Sequence, residues 1–352
     1  MRWSVIGPLE GKLTGQSRVT SEVVSMLASK QKLSYKINTN FEGLKFFWRI
    51  SRTFFALIYF LITLRSSFGY YISIKRGTLS AFIDFIYIII AKIFNKKIIL
   101  HLHGNEILVD STNNKTLLIN FTFLNLKLAD LVICLNSFQA NEIRKLGIVK
   151  LRVIPNFTDL NVEKEFTGIL ATEQDTIKVI YLSNFQKEKG FFKYIGLFET
   201  FPHIQFSLCG AFLSDDSLER QGFNEEHIKS LPNVQYYGFV SGNEKQHVLR
   251  NSHFIFFVST YATEAQPLSL VEAMGLGCVP IVANRPYISD IVTKDNGVIL
   301  SADPNIYEIK RAIESLTVEN YFLLSGKCRT LAASFTTTAF EAKLLGVFDE
   351  FI

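Results

Sequence analysis

The sequence predicts an α/β protein built on two parallel sheets, and three observations carry that expectation. Short β-branched or aromatic runs alternate with segments of helical period along the whole chain. At 352 residues the chain is long enough for two cores, at about 150 residues per domain. The polar stretch Glu163–Thr176 carries no clear period and contains Gly168, which marks it as the linker between them. In chain order the predicted strands are Ser4–Gly7, Tyr70–Ile74, Lys97–His101, Leu131–Cys134 and Leu151–Ile154, then Lys178–Leu182, Gln205–Leu208, Phe254–Val258 and Val279–Val282. Each is a short run rich in β-branched or aromatic residues, the signature of a parallel-sheet α/β architecture, and helices fill the gaps. Residues 1–165 and 166–334 each then form a Rossmann-like domain. Their sheets are expected to face an interdomain cleft, with ligands at the C-terminal ends of the strands. In the last segment, 335–352, Phe340, Leu344, Leu345 and Phe348 fall at helical spacing.

Composition excludes several classes. Hydrophobic residues make up 48% and charged residues 20%, with 32 Phe, which describes a globular protein and neither a disordered nor a collagen-like chain. The net charge of +5 hides an asymmetry: 22 Lys and Arg against 11 Asp and Glu in residues 1–165 give +11, and 15 against 21 in 166–352 give −6. The N-terminal half is therefore expected to face something anionic. Cys134, Cys209, Cys278 and Cys328 lie far apart with no C-x-x-C pair, so neither a zinc site nor a disulfide framework is expected and a reducing cytoplasm is the simplest compartment. Met1–Pro8 reads as a first strand and not as a signal peptide.

The eleven-residue run Phe54–Leu64 is shorter than the roughly 20 residues of a membrane-spanning helix, and Ala81–Ala91 is interrupted by Asp84, so no span is expected. Just before the first run, Lys45, Arg49 and Arg52 fall on one helical face, interleaved with Phe46, Phe47, Trp48 and Ile50. Two readings stay open for it: a helix lying in an anionic lipid interface, or one packed on its sheet.

The most informative loop follows Phe254–Val258. It carries Glu264 and Glu272, eight positions apart, the first in a loop and the second in a helix. A helix beginning near Pro267, a first-turn proline, is expected to point its N-terminal amides into the cleft, where they can hold an anion such as a diphosphate. A carboxylate at Glu272 that turned back would accept two hydrogen bonds from a vicinal diol such as a ribose; the alternative is a solvated glutamate on a core helix. Lys189, with Lys187 and Asn184 before it, sits in a strand-to-helix turn, where an ammonium can neutralise a leaving diphosphate. The loop Gly11–Gly15 precedes a helix starting near Gln16 and can approach a phosphate closely through Gly15. It is neither G-x-G-x-x-G nor a Walker loop, which removes the main support for a dehydrogenase or a P-loop enzyme. His101 and His103 form H-x-H on an extended segment, but only Glu106 accompanies them, so a metal site is not expected; Asp215 and Asp216 read as solvated surface.

Glu264 to Pro280 resembles the fingerprint of the GT-B glycosyltransferases of the retaining family 4, two glutamates eight apart followed by Ala273, Met274, Gly277 and a proline. The resemblance extends to Gly11–Gly15, His101–Gly104, Ile154–Asn156, Lys189–Gly190 and Asn296–Gly297. It implies a GT-B fold, an activity and a set of roles. Glu272 would hold the donor ribose and Glu264 the hydroxyls of the transferred sugar. The backbone amides of Gln266, Leu268 and Ser269 would approach the sugar and diphosphate, while Pro267 has no N–H to give. Lys189 would meet the diphosphate, and His103, supported by His101, would contact the donor sugar. Where this chain has Ala265, Gln266 and Pro267 the family often has Gly-Phe-Gly. Where it has Asn184 many relatives carry an Arg, so either Lys187 compensates or the phosphate site is less charged.

The implied reaction is metal-independent transfer of a hexose or N-acetylhexosamine from a UDP- or GDP-linked sugar, with no cofactor and no protein nucleophile. The resemblance also has the terminal helix cross back to the first domain. A basic, aromatic N-terminal half fits an undecaprenyl-diphosphate-linked saccharide acceptor in O-antigen, capsule or exopolysaccharide assembly. The enzyme would be cytoplasmic and peripheral to the inner face of the cell membrane, with no nucleic-acid partner. Two alternatives remain: a soluble transferase acting on a free or nucleotide-linked small acceptor, and a catalytically silent membrane-associated scaffold.

Overall fold

The computed structural model describes residues 1–9, 14–40, 45–74, 77–105, 116–158, 176–212, 225–261 and 263–351. The linker expected at Glu163–Thr176, apart from Thr176 itself, lies outside them, as do Gly11, Glu106, Asp215 and Asp216. The chain divides into two compact units. One comprises Met1–Phe157, Ala262–Gln266 and Thr338–Ile352, the other Thr158–Tyr261 and Pro267–Thr337.

The first unit runs β1 (Trp3–Gly7), α1 (Gly15–Ser29), β2 (Leu33–Asn38), α2 (Phe46–Thr63), β3 (Gly69–Ser73), α3 (Thr78–Ile93), β4 (Lys97–His101), α4 (Thr116–Leu128), β5 (Leu131–Cys134), α5 (Ser137–Lys145) and β6 (Leu151–Val153). Its six strands form a parallel sheet in the order β2-β1-β3-β4-β5-β6. Strand alternation splits the core in two. Tyr70, Ile72, Ile98 and Leu100 pack with Phe60, Leu64, Tyr87 and Ile88 on one side. Trp3, Val5, Tyr71 and Ile99 pack on the other with Val19 and Val23 of α1, and with Phe340, Leu344 and Phe348 from the end of the chain.

The second unit runs β7 (Lys178–Leu182), α6 (Phe191–Ile195), β8 (Gln205–Cys209), α7 (Glu225–Ser230), β9 (Val234–Gly238), α8 (Gly242–Arg250), β10 (Phe254–Phe257), α9 (Leu268–Gly275), β11 (Val279–Ala283), β12 (Val298–Leu300), α10 (Ile306–Glu314) and α11 (Val318–Ala332), and α12 (Thr337–Asp349) follows it. Its parallel sheet has the order β12-β11-β10-β7-β8-β9. The chain winds outward from β7 and returns beside it as β10. The β7/β10 junction is thus the topological switch point, where the loops beyond the strand ends diverge and leave room for a ligand. In the first unit the corresponding junction is β1/β3.

The two sheets bear out the predicted α/β class, and each of the nine predicted strands is present within a residue or two of its expected bounds. Three strands were not expected: β2, β9 and β12. All three are sheet edges and only partly buried: polar residues interrupt the apolar pattern of β2 and β9, and β12 is only three residues long. The four cysteines are buried free thiols. Burial pushes Cys134, Cys209 and Cys328 up to about 12 and raises Cys278 further.

Candidate functional site

In the second unit the loops after β7 and β10 are laced together. Phe185 turns inward and stacks on Phe191 at 4.2 Å, anchoring the turn that carries Asn184, Lys187 and Lys189. The Tyr181 hydroxyl donates to the Asn184 carbonyl at 3.1 Å. Gly190 closes the turn with φ +81°, and a Cβ there would lie 2.6 Å from Val258 Cγ2, so the position requires glycine on both counts. The Glu188 carbonyl accepts the Thr260 N–H at 2.7 Å and the Ser259 hydroxyl at 3.3 Å. Lys189 is thereby held at the switch point, its Nζ 4.5 Å from the centroid of the Tyr261 ring. Asn184 and Lys187 are exposed beside it.

Helix α9 starts one residue later than the sequence suggests. Pro267 is its N-cap, with φ −75° and ψ 106°, and not a first-turn residue, so Leu268 and Ser269 form the opening turn. The Leu270 and Val271 amides return to the Pro267 carbonyl, and both Leu268 and Ser269 are half-buried. Glu272 lies on the same helix and is buried, which overturns the solvated alternative. Its Oε2 accepts from Lys245 Nζ of α8 at 2.8 Å. Nothing in the sequence around Lys245 distinguished it from a surface lysine.

Glu264 and Gln266 belong to the first unit, so the two glutamates eight positions apart fall in different units. Their segment is fixed by amide side chains from the loops after β4 and β5. Asn105 donates its backbone N–H to the Thr263 carbonyl at 3.2 Å and its Nδ2 to the Glu264 carbonyl at 2.5 Å. Asn136 Nδ2 donates to the Ala265 carbonyl at 2.6 Å. Gln266 uses its side chain, Oε1 accepting the Asn156 N–H at 2.6 Å. Buried Gln139 ties the set together, donating to the Gly104 carbonyl and to Asn105 Oδ1 and accepting from the Leu135 N–H. Asn105, Asn136 and Gln139 were missed in the sequence. The signal for the last two was an asparagine N-cap with glutamine three residues on, directly after a strand.

In the same unit, His101 is fully buried at the end of β4 with Nδ1 bonded to the Tyr71 hydroxyl. Burial, then the nearby His103, hold the His101 pKa well below the usual histidine range. The half-buried His103 ring lies 4.1 Å from that of His101. At the β1/β3 junction Gly15 is the exposed first residue of α1, behind the N-cap Thr14. Gln16 Nε2 donates to Ser73 Oγ at 2.9 Å and to the Ile74 carbonyl at 2.7 Å, closing that junction. Among the described residues no group of three or more His, Cys, Asp or Glu side chains is placed to hold a metal ion.

Residues 162–325 match the family model of glycosyl transferases group 1. No curated protein matches the chain by sequence. Several solved structures resemble it over nearly the whole of both chains. Anabaena Alr3699/HepE in complex with UDP and glucose is 15% identical with a TM-score of 0.72, over 98% of this chain and 99% of that one. Sucrose-phosphate synthase (tll1590) from Thermosynechococcus elongatus is 14% identical with a TM-score of 0.77, over 100% and 99%. The lipopolysaccharide outer core galactosyltransferase WaaB, in its apo form, is 14% identical with a TM-score of 0.70, over 100% of both chains. At such identities the likeness is one of fold: the chain has the fold of the GT-B glycosyltransferases, and the group 1 family match lies in residues 162–325.

Proposed function

We propose that the protein is a retaining glycosyltransferase of family 4. It transfers a hexose or N-acetylhexosamine from a UDP- or GDP-linked sugar to an undecaprenyl-diphosphate-linked saccharide during assembly of a bacterial surface polysaccharide, at the cytoplasmic face of the membrane. The observation that carries this reading is the β7/β10 switch point. There Lys189 is fixed by its turn, the α9 N-terminus opens on Leu268 and Ser269, and Glu272 lies buried one turn further along the same helix. A cation, a helix N-terminus and a carboxylate in that sequence match the diphosphate and ribose of a nucleotide sugar. The UDP complexes of Alr3699/HepE support a uridine donor.

In the reaction the bond between the anomeric carbon and the diphosphate oxygen breaks. The acceptor oxygen bonds to the same face of that carbon, and its proton passes to the departing diphosphate. Lys189, with Asn184 and the amides of Leu268 and Ser269, stabilises the charge that develops on the leaving group, without a metal or a cofactor. Glu272 holds the ribose. Glu264, Gln266 and His103 line the transferred sugar, and Gly15 lets the chain approach the phosphates. Calorimetric titration with UDP, GDP, UDP-sugars and GDP-sugars tests the donor assignment: one nucleotide family binds, and Glu272→Ala weakens it at least tenfold. Unchanged affinity in that variant removes Glu272 from the ribose site.

A further inference from the structure

Helix α2 is apolar over most of its surface, and its own unit covers only one seam of it. Phe60, Thr63 and Leu64 are buried, Phe60 lying 4.9 Å from both Tyr70 and Tyr87. Away from that seam Phe47, Trp48, Ile50, Phe54, Phe55, Ile58, Tyr59, Leu61 and Ile62 are exposed, Phe47 to 75% and Phe55 and Ile62 to 64%. At 100° per residue these nine occupy about half the helix circumference. Helix α3, which meets α2 through Tyr87, also exposes Leu79, Phe82, Ile89 and Ile93. The apolar arc of α2, exposed on this scale, marks an interaction surface.

Charge selects its occupant. From Lys45 through Arg65 there is no acidic residue, and Lys45, Arg49, Arg52 and Arg65 are exposed. Across residues 30–97 there are twelve Lys and Arg against Glu42 and Asp84. A second copy packed symmetrically on this face would bring like charges together. No described helix is long and apolar enough to cross a membrane. A helix with a broad apolar arc, aromatic rings and flanking cations suits the boundary between anionic headgroups and acyl chains. We infer that α2 docks the first unit on an anionic lipid bilayer, lying in the interface with Trp48, Phe54 and Phe55 inserted and Lys45, Arg49 and Arg52 among the headgroups. This deepens the lipid-linked acceptor reading, on which it rests for its biological setting.

The test uses the full chain and vesicles of phosphatidylglycerol, phosphatidylcholine or a mixture, with neither donor nor acceptor, so its outcome is independent of transfer activity. The protein has two tryptophans, and Trp3 is fully buried, so an emission change reports Trp48. Phosphatidylglycerol vesicles are expected to shift Trp48 emission to the blue and to sediment the protein, and phosphatidylcholine to do neither. Arg49→Gln with Arg52→Gln lowers partitioning by roughly 30-fold, about fivefold per cation. Phe54→Ser with Phe55→Ser abolishes the shift while circular dichroism stays unchanged. No vesicle binding, or binding that both double variants retain, overturns the proposal. So does a concentration-dependent dimer that Phe54→Ser with Phe55→Ser dissolves, which would assign the face to a second copy. Binding without transfer to any lipid-linked saccharide would leave the docking standing and sink the acceptor reading.

Discussion

Lys245 Nζ stands 2.8 Å from Glu272 Oε2, joining α8 to α9 through the carboxylate assigned to the donor ribose. The pair is asymmetric: the lysine side chain keeps 26% of its exposure and the glutamate 10%. Removing the lysine therefore takes a cation from beside the more buried carboxylate. Lys245→Met is expected to cost about 1–3 kcal/mol of stability, and Glu272→Gln less, in urea denaturation. In nucleotide titrations the order reverses, with Glu272→Gln the more damaging.

Lys189 offers the cleanest separation of binding from chemistry. Its charge is assigned to the departing diphosphate, so Lys189→Ala is expected to lower kcat by about 100- to 1000-fold with a much smaller change in donor affinity. Lys189→Arg keeps the charge and recovers part of the rate. Single-turnover measurements at saturating donor check this. A kcat unchanged by Lys189→Ala would move the phosphate site to Lys187.

The amide clamp on Glu264 is expected to act through position. Asn136→Ala removes a buried donor from the Ala265 carbonyl and Asn105→Ala another from the Glu264 carbonyl. Each costs about 1–3 kcal/mol of stability. Each is also expected to lower kcat while leaving nucleotide affinity, measured by titration, near that of the parent.

His101 sets a pH dependence. Its folded pKa is depressed by burial and by His103, so between that value and about 6.5 the unfolded chain binds the extra proton. The contribution to stability is complete above pH 6.5 and falls as the pH drops below it, by up to about 1.4 kcal/mol per unit. In parallel denaturation series from pH 7 to 5, His101→Gln is expected to show a shallower decline than the parent.

The fold was legible wherever strands are buried on both faces, because a short, continuous apolar run such as Phe254–Val258 suits the centre of a parallel sheet and little else in an α/β chain. The edge strand β2 reads Leu33–Asn38, with lysine at 36 and only Ile37 buried, and gives no such signal. The site divides in the same way. Glu264, Glu272 and Lys189 stood out through local strings around a strand end. Lys245 and Asn105 did not, because they act across the fold: Lys245 meets a carboxylate 27 positions away and Asn105 a carbonyl 159 positions away. Sequence also left α2 between two readings. Its exposed face follows from how little of the helix its own sheet covers, which only packing reveals.

The proposed reaction is acceptor-dependent transfer from a nucleotide sugar without a metal. Nucleotide release from a panel of UDP- and GDP-sugars, with a lipid-linked saccharide extract and excess chelator, is the measurement that decides it. Release from one donor, dependent on the extract and indifferent to chelator, is the expected result. Silence across the panel, together with no donor binding, would contradict it and leave a GT-B fold kept for a role other than catalysis.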